Sequence, residues 1–176
     1  VRVVFVCTGN ICRSAFAQVS LAARLSGNPG VVVGSAGVMA LVDSPMDPPM
    51  AAEAVHRGLD PTAHRARQLT GRILKEADIV MVFGPEHVDW IANGYPEHVE
   101  RVVSLGQAAA VLAAQPRRAL IRVQDLVTDV RQQRPEVAEE DWIADPYHQG
   151  IEAAERAAER IWADTEVLAR KIEWSV

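Results

Sequence analysis

Apolar residues along this chain fall into two patterns, short unbroken runs and longer stretches spaced at three and four residues. Residues 1–6 lack strict polar alternation, as expected of a strand buried on both faces of a parallel sheet. Similar short runs recur at 31–33, 79–83 and 102–105. Between them lie stretches of helical character. One covers residues 13–25, with Ala17, Leu21 and Leu25 on one face, and stops at the turn cluster 26–30. Asp47-Pro48 reads as an N-cap followed by proline at the first helical position, and Gly58 closes that short helix. Residues 39–46 and 59–69 read as connectors, Thr70 caps a brief helix through Lys75, and 86–93 is helical until Gly94 and Pro96. The final helix has the clearest period: Ile151, Ala154, Ala158, Ile161, Thr165, Leu168 and Ile172 form a stripe, with Trp162 beside it.

Strands alternating with helices call for βαβ units and a parallel sheet, so the expected fold class is α/β. Sites in such sheets lie at the C-terminal edge of the strands, where Cys7 falls. Residues 107–141 fit the alternation less well. Residues 108–114 favour a helix that Pro116 breaks, and 120–134 suggest another through Val123, Leu126, Val127 and Val130. Pro135 ends it before the acidic stretch 136–141. With no internal repeat or low-complexity linker, residues 1–176 are expected to form one domain carrying a helical excursion at 107–141.

Composition narrows the function classes. A chain of 176 residues with 49% apolar and 23% charged residues matches an ordinary globular protein with a sizeable core. Its net charge of −5 and scattered basic residues give no nucleic-acid surface. No apolar run reaches membrane-spanning length and no secretory leader precedes Val1, so no membrane partner is expected. Two cysteines, Cys7 and Cys12, make neither a secreted disulfide framework nor a zinc site. The expectation is a reducing cytoplasm, no metal and no cofactor.

The chemistry concentrates where the first apolar run ends. Cys7 is followed by Thr8-Gly9-Asn10-Ile11-Cys12, and Arg13-Ser14 opens the first helix. A strand, a tight loop and a helix N-terminus make an anion site, because the first amides of a helix have no helical partner and the dipole adds positive charge. Gly9 and Asn10 suit a loop needing unusual dihedrals and close backbone approach. Arg13 stands where a cation is disfavoured unless an anion offsets it, and its planar fork suits two phosphate oxygens. A thiol in that field favours the thiolate. Cys7 therefore reads as a nucleophile inside a phosphate cradle. Ser14 reads either as a hydroxyl donor to that thiolate or as a plain helix-start serine.

The octet CTGNICRS, with its C-x5-R spacing, resembles the phosphate loop of low-molecular-weight protein tyrosine phosphatases. Ser35-Ala36-Gly37, the stretch 64–68 (HRARQ), the stretch 77–87 ending in Glu86-His87, and Ala144-Asp145-Pro146-Tyr147 resemble the family too, in its order. The resemblance implies a three-layer α/β/α fold around a four-stranded parallel sheet. It implies that Cys7 attacks phosphorus, that the loop from Thr8 to Ser14 and Arg13 bind the phosphate, and that Asp145 is the general acid and base. Read alone, Asp145-Pro146 is equally an ordinary turn. The resemblance also implies that Asn10, Ser14, Ser35 and His64 brace the loop, and it favours the donor reading of Ser14. Leu41 and Tyr147 then form the pocket wall, and Cys12 is a candidate disulfide partner that protects Cys7 from irreversible oxidation, or else a packed loop thiol. Departures from the family pattern are Ala15, Gln18, Phe83-Gly84 and the aliphatic Leu41 where animal members carry an aromatic residue. The stretch SAGVMALVDSP looks like bacterial members that act on tyrosine kinases controlling polysaccharide export.

Three other readings compete. Phosphoarginine phosphatases share the fold and loop but typically carry threonine where this chain has Ile11, so phosphotyrosine is preferred. Arsenate reductases resemble the loop but need further cysteines. A phosphate-binding interaction module without turnover is disfavoured by the intact set of Cys7, Arg13 and Asp145. The excursion at 107–141 either selects a protein partner or is a surface addition.

Overall fold

The computed structural model describes residues 1–175. Its centre is a parallel sheet of β1 (Arg2–Cys7), β2 (Val32–Gly37), β3 (Ile79–Val82) and β4 (Val102–Ser104), in the order β2-β1-β3-β4. The chain leaves β1 toward one side for β2 and crosses to the other side for β3. The loop after β1 therefore sits at a topological switch point, where a crevice opens at the strands' C-terminal ends.

Alternation along the strands divides the core. Val3, Phe5 and Cys7 join Ile79, Met81 and Val103 on one face, covered by α1 (Arg13–Arg24), α2 (Pro48–His56), α5 (Leu105–Ala114), α6 (Leu126–Gln133) and α7 (Ile151–Lys171). Val4, Val6, Val80 and Val82 point to the other face, against α3 (Gly71–Glu76) and α4 (Pro85–Gly94). The result is the expected α/β/α sandwich.

Local signals place most boundaries. Thr70 caps α3 by accepting the Ile73 N–H at 3.3 Å, and Pro48 starts α2, although the Asp47 side chain makes no cap hydrogen bond. The strand expected at 31–33 runs on to Gly37, because Gly34 and Ser35 pair in register with Val4 and Phe5 despite weak strand propensity. Leu105 begins α5 rather than ending β4, since the Ser104 hydroxyl accepts the Gln107 N–H at 3.2 Å and caps a helix there.

The single helix expected at 120–134 is not formed. Residues Ile121–Arg122 are β5, a 3₁₀ turn covers Val123–Asp125, and only Leu126–Gln133 is α-helical. β5 pairs in parallel with β6 (Ile172–Glu173), so Ile172 leaves the α7 stripe and faces Ile121 instead. The Lys171 ammonium, 2.7 Å from the Pro116 carbonyl, fastens the same junction. Ile121, Val123, Leu126 and Val130 are buried in the main core, so this region is part of the packing against the sheet.

Candidate active site

Five consecutive carbonyls of the loop after β1 are turned outward. Those of Cys7, Thr8 and Gly9 accept the N–H groups of Val38, Met39 and Leu41, each at 3.0 Å. That of Asn10 accepts His64 Nε2 at 2.6 Å, and that of Ile11 accepts the Asp47 N–H at 2.9 Å. In a trans peptide the N–H points opposite to the C=O. The amides that follow these carbonyls, Thr8 to Cys12, are thereby aimed into the loop. Asn10 takes φ 58, a left-handed conformation that asparagine tolerates and that closes the turn. Gly37 permits the close approach: a Cβ there would lie 2.4 Å from the Thr8 carbonyl oxygen.

Asn10, fully buried, is the hub behind the loop. Its Nδ2 donates to Ser14 Oγ at 2.8 Å and to Ser35 Oγ at 2.9 Å, while its Oδ1 accepts the Arg67 N–H at 2.9 Å. An amide nitrogen only donates, so each serine oxygen receives one bond and turns its own hydrogen elsewhere. Ser35 donates to Gln18 Oε1 at 2.5 Å. Ser14 donates to Cys7 Sγ at 2.9 Å, so the chain of bonds that starts at the Asn10 amide ends on that sulfur. Gln18, where the family commonly has an acid, serves here as the neutral end of that network. His64 is held below its ordinary pKa, chiefly by burial, and as a neutral ring it still donates Nε2–H to the loop.

Arg13 is buried, yet it opens α1, and its two ends have different partners. Nη1 donates to the Ile143 carbonyl at 3.0 Å and Nη2 lies 3.4 Å from Asp145 Oδ2. Nε is buried and has no partner among the described residues, leaving a donor for an anion. The Tyr147 N–H bonds Asp145 Oδ1 at 3.1 Å, which forms the turn expected of Asp-Pro and still leaves the carboxylate at the cavity. Both cysteines are free and buried, and burial pushes the Cys12 thiol far above its usual range.

Cys7, Thr8, Gly9, Ile11, Cys12, Arg13, Leu41, Asp145 and Tyr147, with Met39, line a cavity of about 190 Å³. It is lined by the loop, by the apolar Leu41 and Met39, and by Tyr147, which stacks on His148. Asn10, Ser14, Ser35 and His64 do not line it and lie behind the loop, bonded to one another or to its backbone. All the residues singled out in the sequence thus meet at one place. Among the described residues no cluster of His, Cys, Asp or Glu is arranged to hold a metal, and no helix is long and apolar enough to cross a membrane.

Contributors that escaped the sequence reading as site residues include Met39, which lines the cavity, and Arg67, Gln68 and His87. The Gln68 carboxamide accepts the Ala40 N–H at 3.0 Å and donates to the Val38 carbonyl at 2.8 Å, fixing the pocket-wall segment. Arg67 and Gln68 belong to the HRARQ stretch, and His87 to the Glu86-His87 pair, so the signal available was their motif.

The sequence profile of the low molecular weight phosphotyrosine protein phosphatase family matches residues 2–113. This chain belongs to that family. Within it, the probable low molecular weight protein-tyrosine-phosphatase EpsP of Ralstonia nicotianae is 39% identical over 116 residues, covering 66% of this chain and 78% of that protein. The low molecular weight protein-tyrosine-phosphatase Etp of Escherichia coli K12 is 36% identical over 105 residues, covering 60% of this chain and 69% of the other. Among solved structures, the YwlE arginine phosphatase from Geobacillus stearothermophilus is 28% identical with a TM-score of 0.73, covering 97% of this chain and 91% of that one. Asp145 and Tyr147 of this low molecular weight phosphatase lie beyond the residues that the profile matches.

Proposed function

We propose that this chain hydrolyses phosphotyrosine in proteins through a phosphocysteine intermediate, with Cys7 as nucleophile. The observation that carries this reading is the bond sequence from Asn10 through Ser14 to Cys7 Sγ, at the centre of a loop whose amides face inward. Cys7 Sγ attacks phosphorus in line while the bond to the phenolic oxygen breaks, and Asp145 gives that oxygen its proton. Asp145 then takes a proton from water as the water attacks phosphorus, the S–P bond breaks, and phosphate leaves with the thiolate restored. Arg13, through Nε and Nη2, and the amides of residues 8–14 bind the equatorial oxygens. Leu41, Met39 and Tyr147 form a slot for an aromatic ring.

Residues 1–176 act as one domain in this reading, in a reducing cytoplasm. The substrate is a bacterial tyrosine kinase or a regulator of polysaccharide export, as the stretch 35–45 suggests by resemblance. A second reading, phosphoarginine hydrolysis, is supported by likeness to the YwlE arginine phosphatase and opposed by Ile11, which presents no hydroxyl to the cavity. Phosphate release from matched phosphotyrosine and phosphoarginine peptides, with Cys7→Ser as blank, decides between them. Phosphotyrosine turnover lost in the variant is the expected result; a phosphoarginine preference reverses the assignment, and no release from either leaves a binding module.

A further inference from the structure

His87 is fully buried at the start of α4, and the reaction described above gives it no part. Its ring has one possible hydrogen-bond arrangement. Nδ1 accepts the Gly84 N–H at 3.0 Å, with the Phe83 N–H at 3.4 Å, which a protonated Nδ1 cannot do. The ring hydrogen is therefore on Nε2, and Nε2 lies 3.1 Å from Thr8 Oγ1, the residue directly after Cys7. Glu86 Oε1, on a half-exposed side chain, is the more distant neighbour of the same nitrogen at 3.5 Å.

We propose that His87 is a positioning residue that turns the Thr8 hydroxyl toward the anion held in the phosphate loop. Thr8 Oγ1 receives the Nε2–H on one lone pair, so its own hydrogen is left for the cavity, which Thr8 lines. The arrangement parallels the one on the opposite side of the loop, where Asn10 donates to Ser14 and Ser14 donates to Cys7. One relay starts from an asparagine amide and ends on the nucleophile. The other starts from the Gly84 backbone N–H, passes through a neutral imidazole and ends on a hydroxyl donor. Burial and the nearby Arg13 charge hold His87 down to about 3, so the ring stays a neutral Nε2–H donor at any working pH. That excludes it as a proton shuttle. The inference rests on the phosphatase reading for the identity of the anion.

The test separates the two ends of the ring. His87→Asn keeps an acceptor for the Gly84 N–H but withdraws the donor from Thr8, whereas His87→Gln brings an amide N–H close to the Nε2 position. Thr8→Val removes the hydroxyl at constant volume. Turnover of a phosphotyrosine peptide and calorimetric binding of inorganic phosphate are measured for each, with urea denaturation midpoints alongside. His87→Asn and Thr8→Val should each lower kcat and phosphate affinity about tenfold, and their combination should do no worse than either alone. His87→Gln should stay within about threefold of the unsubstituted protein. Additive losses in the double variant, unchanged function in His87→Asn, or a His87→Gln as poor as His87→Asn overturns the inference; an unchanged His87→Asn beside an impaired His87→Gln assigns His87 to capping α4. Nitrogen NMR of His87 gives a readout free of folding defects, and a ring that titrates between pH 5 and 8 also overturns it. A protein that binds phosphate in a His87-dependent way yet hydrolyses no phosphotyrosine upholds the positioning role and sinks the phosphatase reading. Absence of phosphate binding sinks both.

Discussion

Arg13 Nη2 lies 3.4 Å from Asp145 Oδ2, while Nη1 of the same guanidinium holds the Ile143 carbonyl at 3.0 Å. One side chain thus joins the floor of the anion site to the loop that carries the acid, and Arg13 does two jobs with the two ends of one fork. If Asp145 is the proton donor, Asp145→Asn lowers kcat by about 10²–10⁴-fold for phenyl phosphate, whose leaving group needs a proton. The loss should be much smaller for p-nitrophenyl phosphate, whose leaving group is stable as an anion. The ratio of kcat/KM for the two esters, compared between the variant and the unsubstituted protein, checks this. An equal loss on both would remove Asp145 from the proton-transfer role.

Gly37 lies where the backbone of the loop comes close to β2. A Cβ at this position would lie 2.4 Å from the Thr8 carbonyl and 3.0 Å from the Asn10 nitrogen, both backbone atoms with little room to move. Gly37→Ala should destabilise the fold by about 1–3 kcal/mol and weaken phosphate binding in parallel. Urea denaturation and phosphate calorimetry measure the two effects separately.

Cys7 and Cys12, five positions apart, are free thiols lining the same cavity. Mild peroxide should oxidise the Cys7 thiolate to a sulfenic acid, which Cys12 then displaces with loss of water to form a disulfide. Burial holds Cys12 protonated, so its proton must leave as the new S–S bond forms. Mass spectrometry of the peroxide-treated protein should show the Cys7–Cys12 bond, and activity should return with dithiothreitol. Sulfinic acid at Cys7 without the bond would count against protection.

Asp164, buried within α7, is pushed up to about 6 from an ordinary 3.8, burial outweighing the Arg160 Nε–H held at 2.9 Å, with Asp141 adding in the same direction. A carboxyl with a raised pKa is favoured neutral in the folded state, so the native protein binds the extra proton between pH 4 and 6. Stability must therefore fall as pH rises through that window and level off above it. Relative to Asp164→Asn, the unsubstituted protein should lose about 2 kcal/mol between pH 4 and 7. Urea denaturation of both proteins at half-unit pH intervals tests the slope, and a pH-independent difference would contradict it.

Arg134 Nη2 bonds Asp141 Oδ2 at 2.6 Å, and Asp141 is 2% exposed, four residues before Asp145. Gln107 Nε2 donates to the Arg134 carbonyl at 2.7 Å and Ser104 Oγ to the Asp141 carbonyl at 3.3 Å, so the region after β4 braces the approach to the acid's loop. Arg134→Ala leaves a buried carboxylate with the Ala138 N–H as its remaining partner and should cost about 3 kcal/mol. The double change Arg134→Met with Asp141→Leu should recover most of it, since the buried charge is gone. Deleting the whole region is a poorer test, because Leu126 and Val130 are fully buried and their removal opens the core.

The stretch from β1 to α1 was legible in the sequence because its determinants are local. An apolar run, a Gly-Asn turn and an arginine at a helix start are contiguous, and each sets the backbone of its own neighbours. Strand and helix alternation was legible for the same reason, and it carried the fold class and the sheet edge on which Cys7 lies. Asp145, Ser35 and His64 came only through motif resemblance, since an isolated aspartate, serine or histidine carries no local signal of its partners. The two-residue strands β5 and β6 had no readable signal: Ile121 and Ile172 pair across the excursion and the whole of α7. The helical pattern of 120–134 was overridden there by the pairing of Ile121–Arg122 with Ile172–Glu173 and by the burial of Ile121 and Val123 in the main core.

The sequence alone therefore determined which residues form the anion loop, where the strands and most helices lie, and what kind of chemistry Cys7 and Arg13 suit. The tertiary structure decided which atoms orient that chemistry. His87 meets Thr8 across 79 positions, Arg13 meets Ile143 across 130, and Asn10 meets Ser35 across 25. Backbone preference is set by neighbouring residues, whereas the direction of a hydrogen bond depends on which donor and acceptor the packed sheet and helices bring within 3 Å.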